Sequence, residues 1–369
     1  MNVLHFSKTY FPDNYGGVEN VIYQISEDGF KHGIHSEVLF LSNRGSNRNE
    51  KINNHITHRS NLDIYLASTG FSLSVFKDFS ELASSADIVH YHFPWPFMDA
   101  VHFLTRIKKP TVVTYHSDII KQKHLYQFYK PLMFLFLNNV NRVVATSSNY
   151  LKTSSVLDKL KSKVDIIPIG INDCSCTSHS TELLSKWKRK IGSRFFLFIG
   201  AFRYYKGLHI LLEAMKYTDF PVVLVGVGAL EKDLKSQAES LNLKNIHFLG
   251  ALPNEDKCVL LKLCYCVVFP SHLRSEAFGI TLVEGAMYGK PLISSEIGTG
   301  TTYINIHNET GLVVPPSDPI ALREAMTRLW NSPALAFQLG RNARARYETL
   351  FTADQMVKQY ADLYHSLLS

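Results

Sequence analysis

Short runs of continuously apolar residues, each followed by a helical stretch, fill this chain twice over. NVLHF (2–6), EVLFL (37–41), DIVHYH (87–92), TVVTYH (111–116), RVVATS (142–147) and KVDIIPIG (163–170) make the first series. FFLFIG (195–200), PVVLVG (221–226), NIHFLG (245–250), CYCVVFP (264–270) and KPLISSE (290–296) make the second, with TGLVVPP (310–316) as a further strand or extended arm. A strand that is apolar throughout is covered on both faces, and the intervening helices supply the covers. Between the two series, INDCSCTSHSTE (171–182) is small, polar and aperiodic. The order predicts an α/β chain of two Rossmann-like domains, each with a parallel sheet, facing an interdomain cleft. Expected boundaries are 1–170, a linker at 171–190, a second domain at 191–345, and a C-terminal helix at 346–369 packing back on the first domain. No self-similarity accompanies the repeated topology, so it is not a tandem repeat.

The length, 369 residues, suits two cores rather than one. No run of eighteen apolar residues exists, so no membrane span is expected. The first residues, MNVLHFSKTYFPD, read as a strand rather than a leader peptide. Five cysteines, with Cys264 and Cys266 expected to alternate along a strand, suggest buried reduced thiols and a cytoplasmic setting. A formal net charge of +7 points to an anionic partner without naming it. RIKK (106–109) and KQKHLYQFYK (121–130) concentrate cationic and aromatic residues, which fits either a solvated surface or contact with an anionic membrane face. No nucleic-acid module is recognisable, and no nucleic-acid partner is expected.

Three glycine-bearing turns stand between a strand and a helix. Gly16-Gly17 would let backbone N–H groups approach a ligand at a helix start. Gly226-Val227-Gly228 lacks the third glycine of a dinucleotide fingerprint, since Glu231 stands in that place. In GAFRYYKG (200–207), Arg203 and Lys206 would face a diphosphate and neutralise charge on a leaving group. The most specific stretch is RSEAFGITLVEGAMYGK (274–290). There Glu276 lies in a loop, Phe278-Gly279-Ile280 opens a helix, and Glu284 sits in the second turn. Two acids flanking a phosphate-facing helix start fit a nucleotide sugar, with Glu276 on sugar hydroxyls and Glu284 on a ribose diol. His116 closes a strand and would point to the cleft. His90 and His92 are expected on opposite faces of their strand, so they are not read as a metal pair. Cys174, Cys176 and His179 lack a fourth ligand, and no Asp-x-Asp occurs. No metal site is assigned.

Taken together, the E-x7-E at Glu276 and Glu284, the R-x2-KG at Arg203 to Gly207, Gly16-Gly17 and His116 resemble the retaining GT-B glycosyltransferases of family 4, along essentially the whole chain. Within that family, residues 8–26 and 275–305 look like bacterial O-antigen mannosyltransferases that use GDP-mannose. The loop IGTGTT (297–302) departs from the family's usual Gly-Gly. The resemblance implies a metal-independent transfer with His116, Arg203, Lys206 and Glu276 as the catalytic set. It implies donor contacts from Gly16, Gly17, Gly226, Gly228, Phe278, Gly279, Ile280 and Glu284. It also implies a polyprenyl-diphosphate-linked glycan as acceptor, and work at the cytoplasmic face of the inner membrane. GDP-rhamnose or a UDP-sugar as donor, a nucleotide-sugar epimerase of the same architecture, and a catalytically silent polyanion-binding protein stay open.

Overall fold

The structure, a computed structural model, describes residues 1–119, 123–175 and 180–369. Lys121 and Gln122 of the basic stretch, and Cys176 and His179 of the polar segment, lie outside the described residues. The chain divides into two compact units: Met1–Asn172 with Ala353–Ser369, and Asp173–Thr352.

The first unit begins with β1 (Asn2–Phe6), β2 (His35–Ser42), β3 (Asn47–Ile52) and β4 (His55–Asn61). A small antiparallel ribbon follows, β5 (Ile64–Leu66) with β6 (Thr69–Phe71). Then come β7 (Ile88–Phe93), β8 (Thr111–Tyr115), β9 (Arg142–Ala145) and β10 (Val164–Ile166). The main sheet has the order β10-β9-β8-β7-β1-β2-β4-β3, parallel except that β3 runs against β4. Every side chain of β7 and β8 is buried, as covers on both faces require.

No apolar run marks the β3–β4 hairpin, and the reason is in its partners. On β4 the buried positions include His55, His58 and Ser60. Each is satisfied by an acid from elsewhere: Glu27 lies 2.5 Å from His55, Glu37 lies 2.7 Å from His58, and Ser60 donates to Asp78 at 2.5 Å. A strand whose buried side chains are polar and paired carries no hydrophobic signal.

The second unit holds β11 (Phe196–Ile199), β12 (Val222–Val225), β13 (Ile246–Gly250), β14 (Cys266–Phe269), β15 (Leu292–Ser295) and β16 (Gly311–Val314). Their order is β13-β12-β11-β14-β15-β16, and all neighbours are parallel. Chain order reverses between β11 and β14, so the loops leaving these strands diverge and open a crevice at their carboxyl ends. Cys264 ends the preceding helix rather than lying in β14; it and Cys266 are buried free thiols.

Part of the expected linker is helical. Residues Thr181–Ile191 form a helix whose N-cap Ser180 accepts from the Leu183 N–H. Trp187 is buried and its indole N–H donates to Asp256 at 2.7 Å, fixing this helix to the helix Asn254–Leu263. Seven of its eleven residues are polar or charged, which hides a single buried edge. The closing helical section breaks at Phe351-Thr352. Pro333–Leu350 stays with the second unit, while Ala353–Leu368 belongs to the first, where Tyr360 and Tyr364 are buried. Replacing Trp187 by alanine is expected to lower stability by about 3–5 kcal/mol in urea unfolding. A change under about 0.5 kcal/mol would mean that the segment is a surface linker after all.

Candidate functional site

In the second unit the site residues gather where the sheet order reverses. After β11 the chain passes Gly200 and buried Phe202 into a single 3-10 turn, Tyr204–Lys206, and then Gly207. Gly207 has φ +71°, and a Cβ there would lie 2.0 Å from the carbonyl oxygen of Pro270. Only glycine lets this turn rest on the end of β14. The contact carries Lys206 to Glu276, whose Nζ and Oε2 are 2.5 Å apart with both side chains largely buried. Ser271 donates to the same carboxylate oxygen at 3.3 Å, and the ammonium lies 4.6 Å from the ring centre of Phe269. An ammonium has three protons and a carboxylate two oxygens, so both partners retain capacity for a ligand. Arg203, in the same turn, is exposed and has no ion pair among the described residues.

Glu276 leads into buried Phe278 and then Gly279, at φ +100°, which begins the helix Ile280–Met287. Glycine offers no side chain to cap the first N–H groups of that helix, which leaves its positive end available. Thr281 donates to the carbonyl of Ile199 at 3.1 Å and pins the helix start to the end of β11. Glu284 follows in the second turn. It keeps some solvent access, yet the surrounding protein desolvates its carboxyl and pushes it up to about 7, against the pull of Lys257 and Lys206. Arg203, Lys206, Glu276, the Phe278–Ile280 turn and Glu284 therefore share one end of one sheet. Gly226 and Gly228 lie beside them after β12. Here too the close approach is backbone on backbone, since a Cβ on Gly226 would lie 2.0 Å from the oxygen of Gly200.

Three neighbours carry no motif. Ser271 touches Glu276. Arg274 donates to the Gly298 carbonyl at 2.9 Å, and the Gly300 N–H donates to Ala277 at 2.9 Å, so the 296–300 loop is tied to the start of the Glu276 segment. Thr299 in that loop is buried, and its hydroxyl has no hydrogen-bond partner among the described residues. The departure of IGTGTT from the usual Gly-Gly was the one sequence signal for it.

The first unit carries Gly16, Gly17 and His116. Gly16 precedes, and Gly17 opens, the helix Gly17–Asp28. Glu19, unmarked in the sequence reading, is buried in the first turn and accepts from Thr9 at 2.6 Å and Asn14 at 2.5 Å, bracing the loop before the glycines. His116 follows β8, and its backbone N–H donates to Phe93 at the end of β7. Its Nε2 lies 3.0 Å from His92 Nδ1, and burial pushes its imidazole down to about 3, so it is neutral at pH 7.

The expectation for His90 and His92 is overturned. Residues two apart on a strand share a face, and their ring centroids are 4.4 Å apart. With His5 they bring three ring nitrogens within 4.8 Å of one another, the spacing of a metal cluster. Every ring nitrogen already has a partner, however: His5 bonds His92 and Ser36, His92 bonds His5 and His116, and His90 bonds Tyr364 and Thr114. A cation bound to one nitrogen of each ring would have to break at least two of these bonds.

Known proteins match both parts of the chain. Residues 15–173 match the family described as Glycosyltransferase Family 4, and residues 180–346 match Glycosyl transferases group 1. The chain is 58% identical to a D-rhamnosyltransferase of Pseudomonas aeruginosa over 96% of its own length and 93% of the relative's. It is 47% identical to an O-antigen chain mannosyltransferase of Escherichia coli, covering 100% of this chain and 99% of that one. Its fold matches a sucrose-phosphate synthase from Thermosynechococcus elongatus with a TM-score of 0.80 at 23% identity, covering 99% and 98% of the two chains. Two parallel Rossmann-like sheets and whole-length identity of this order have one reading: the chain is a GT-B glycosyltransferase and belongs to family 4.

Proposed function

We propose that this chain transfers a hexose, α-mannose from GDP-mannose, with retention of configuration to a polyprenyl-diphosphate-linked glycan in O-antigen biosynthesis. The observation that carries the reading is the Lys206–Glu276 pair set beside an uncapped helix start. Arg203, Lys206 and the N–H groups of Ile280–Met287 would stabilise the departing diphosphate, which replaces the need for a metal ion. Glu276 would hold sugar hydroxyls through its remaining acceptor capacity, and Glu284 the ribose diol. Gly16 and Gly17 leave room for the diphosphate, and His116 meets the sugar near its 6-position. The acceptor hydroxyl attacks on the face that the diphosphate leaves, and its proton passes to a leaving-group oxygen. No side-chain nucleophile is needed.

A second reading is favoured by the relative at 58% identity, a D-rhamnosyltransferase. D-Rhamnose is 6-deoxymannose, so the two readings differ at the hydroxyl assigned to His116. A site built to bond a hydroxyl rejects the analogue that lacks it, by factors of roughly 10⁴ or more where its polar group is then left unpaired. Turnover of GDP-mannose and GDP-rhamnose therefore decides between them, with UDP-sugars as controls. Lys206→Ala is expected to lower turnover on the preferred donor about a hundredfold or more. Unchanged turnover in that variant would remove the site assignment.

The raised carboxyl of Glu284 gives a second expectation. A folded-state value of about 7, above the ordinary 4.5, means that the folded chain holds a proton which the unfolded chain has released. Stability attached to this group falls as pH rises through that window, and the loss is complete above it. Glu284→Gln is thus expected to melt higher than the parent at about pH 8, with the gap closing near pH 4.5. A gap of equal size at both ends would contradict the assignment.

The same reading places the enzyme at the cytoplasmic face of the inner membrane. Among the described residues no helix is long and apolar enough to cross a bilayer. On the helix Lys123–Asn139, however, exposed Leu125, Phe128 and Leu135 and half-buried Leu132 fall on one face. Exposed Arg106 and Lys108 belong to the same unit, which suits anionic lipid. Co-sedimentation with phosphatidylglycerol vesicles, and not with phosphatidylcholine, is expected. It should be lost in a variant with glutamate at positions 125, 128 and 135.

A further inference from the structure

One face of the first unit's sheet carries an unbroken line of imidazoles. β1 supplies His5, β7 supplies His90 and His92, and His116 follows β8. His5 and His90 stand side by side in the β1–β7 register. The rings of His5 and His92, and of His92 and His116, are stacked with 24° between planes and centroids 5.4 and 5.3 Å apart. Hydrogen bonds link Ser36 Oγ to His5 Nε2 at 3.4 Å, His5 Nδ1 to His92 Nε2 at 3.1 Å, and His92 Nδ1 to His116 Nε2 at 3.0 Å. A side branch anchors the line. His90 bonds Thr114 at 2.7 Å and Tyr364 at 2.6 Å, and Thr114 bonds Tyr360 at 2.7 Å. Both tyrosines lie on Ala353–Leu368, so the C-terminal helix seals this face against water.

Desolvation keeps all four rings neutral at pH 7: His5 and His116 are pushed down to about 3, and His90 and His92 well below the ordinary value. A neutral imidazole has one N–H and one lone pair. The line from Ser36 to His116 can therefore run in only two directions. In one, each Nδ1–H donates onward and His116 receives at Nε2, so its own Nδ1 carries a proton. In the other, His116 Nε2–H donates inward and Nδ1 is a lone pair. Ser36 fits either, because a hydroxyl can donate or accept. In both cases Nε2 of His116 is committed internally, and Nδ1 has no hydrogen-bond partner among the described residues.

We propose that His92, backed by His5, is a positioning residue for sugar transfer: it holds the ring plane of His116 and ties its tautomer to one direction of the line, so that Nδ1 alone meets the transferred sugar. The inference rests on the reading of His116 as a sugar contact. It assigns work to a motif, His-Tyr-His at 90–92, that the transfer chemistry otherwise leaves unused. A carboxylate in the place of His92 would orient His116 equally well but would draw it toward the charged form. A neutral partner holds it without adding charge to a buried face.

The test is nitrogen-15 histidine NMR on the full chain, joined to kinetics. In the parent protein, His116 is expected as a single neutral tautomer from about pH 6 to 8. His92→Phe keeps a ring of similar volume and removes both nitrogens. His116 should then show a tautomer mixture, and kcat should fall about tenfold to a hundredfold while the donor KM stays within about threefold. His92→Gln, whose amide can still bond His116, should recover part of kcat. A tautomer mixture or a protonated His116 in the parent at pH 7 would overturn the proposal. So would His92→Phe with parental kcat and an unchanged His116 signal. If His92→Phe does not fold, the parental spectrum and His5→Phe, one link further back, decide the matter. His116→Ala separates the two levels of inference. Parental turnover there removes the sugar-contact reading itself, whereas a slow His116→Ala beside a fast His92→Phe removes only the positioning role.

Discussion

The charged pair of the second unit depends on one close approach, that of the Gly207 backbone to the carbonyl of Pro270. A left-handed φ and the absence of a Cβ let the turn after β11 settle on the end of β14. Lys206 and Glu276, seventy residues apart in the chain, then become an ion pair. Burying two charges costs several kcal/mol before their attraction repays it, so such a pair is weak evidence of stabilisation. Here the Ser271 hydroxyl and the face of Phe269 share in satisfying it. The more telling property is positional. The pair holds an ammonium and a carboxylate in a fixed relation at the mouth of the sheet, as the proposed binding of a sugar diphosphate requires.

The parallel strands were legible because burial on both faces writes a continuous apolar run, as FLFI of β11 and VVLV of β12 show. What stayed hidden was buried for polar reasons. β4 places His55, His58 and Ser60 inside and satisfies them with Glu27, Glu37 and Asp78, which no periodicity reveals. The helix Thr181–Ile191 shows only Trp187 and Ile191 to the core, so its composition reads as linker. At the site, residue types and spacing marked Arg203, Lys206, Glu276 and Glu284. The ion pair between two of them was invisible, because sequence separation says nothing of contact. The histidines are the instructive failure. A two-residue spacing on a strand puts side chains on one face, and applying that rule to His90 and His92 would have exposed the line that ends at His116.

The two glutamates that frame the helix start are chemically unlike. Glu276 has a lysine against it at 2.5 Å, whereas desolvation pushes the Glu284 carboxyl up to about 7. Identical side chains eight residues apart are therefore given different surroundings, which suit different tasks. An acid held against an ammonium suits a polar contact that must hold its place while charge moves. A carboxyl near its own midpoint suits a vicinal diol, to which it can offer acceptors without carrying a full unpaired charge in a desolvated site.

The same division separates the two units. The second presents cations and a helix N-terminus, groups matched to phosphate. The first presents, at the end of β8, an imidazole that burial holds neutral. A neutral donor or acceptor discriminates a hydroxyl from its absence but gains little from a phosphate's charge. On the proposed reading, sugar identity and leaving-group stabilisation fall to groups that do not compete for the same ligand atoms. On that reading, a change from mannose to its 6-deoxy form would proceed through the histidine face alone and leave the groups assigned to the diphosphate intact.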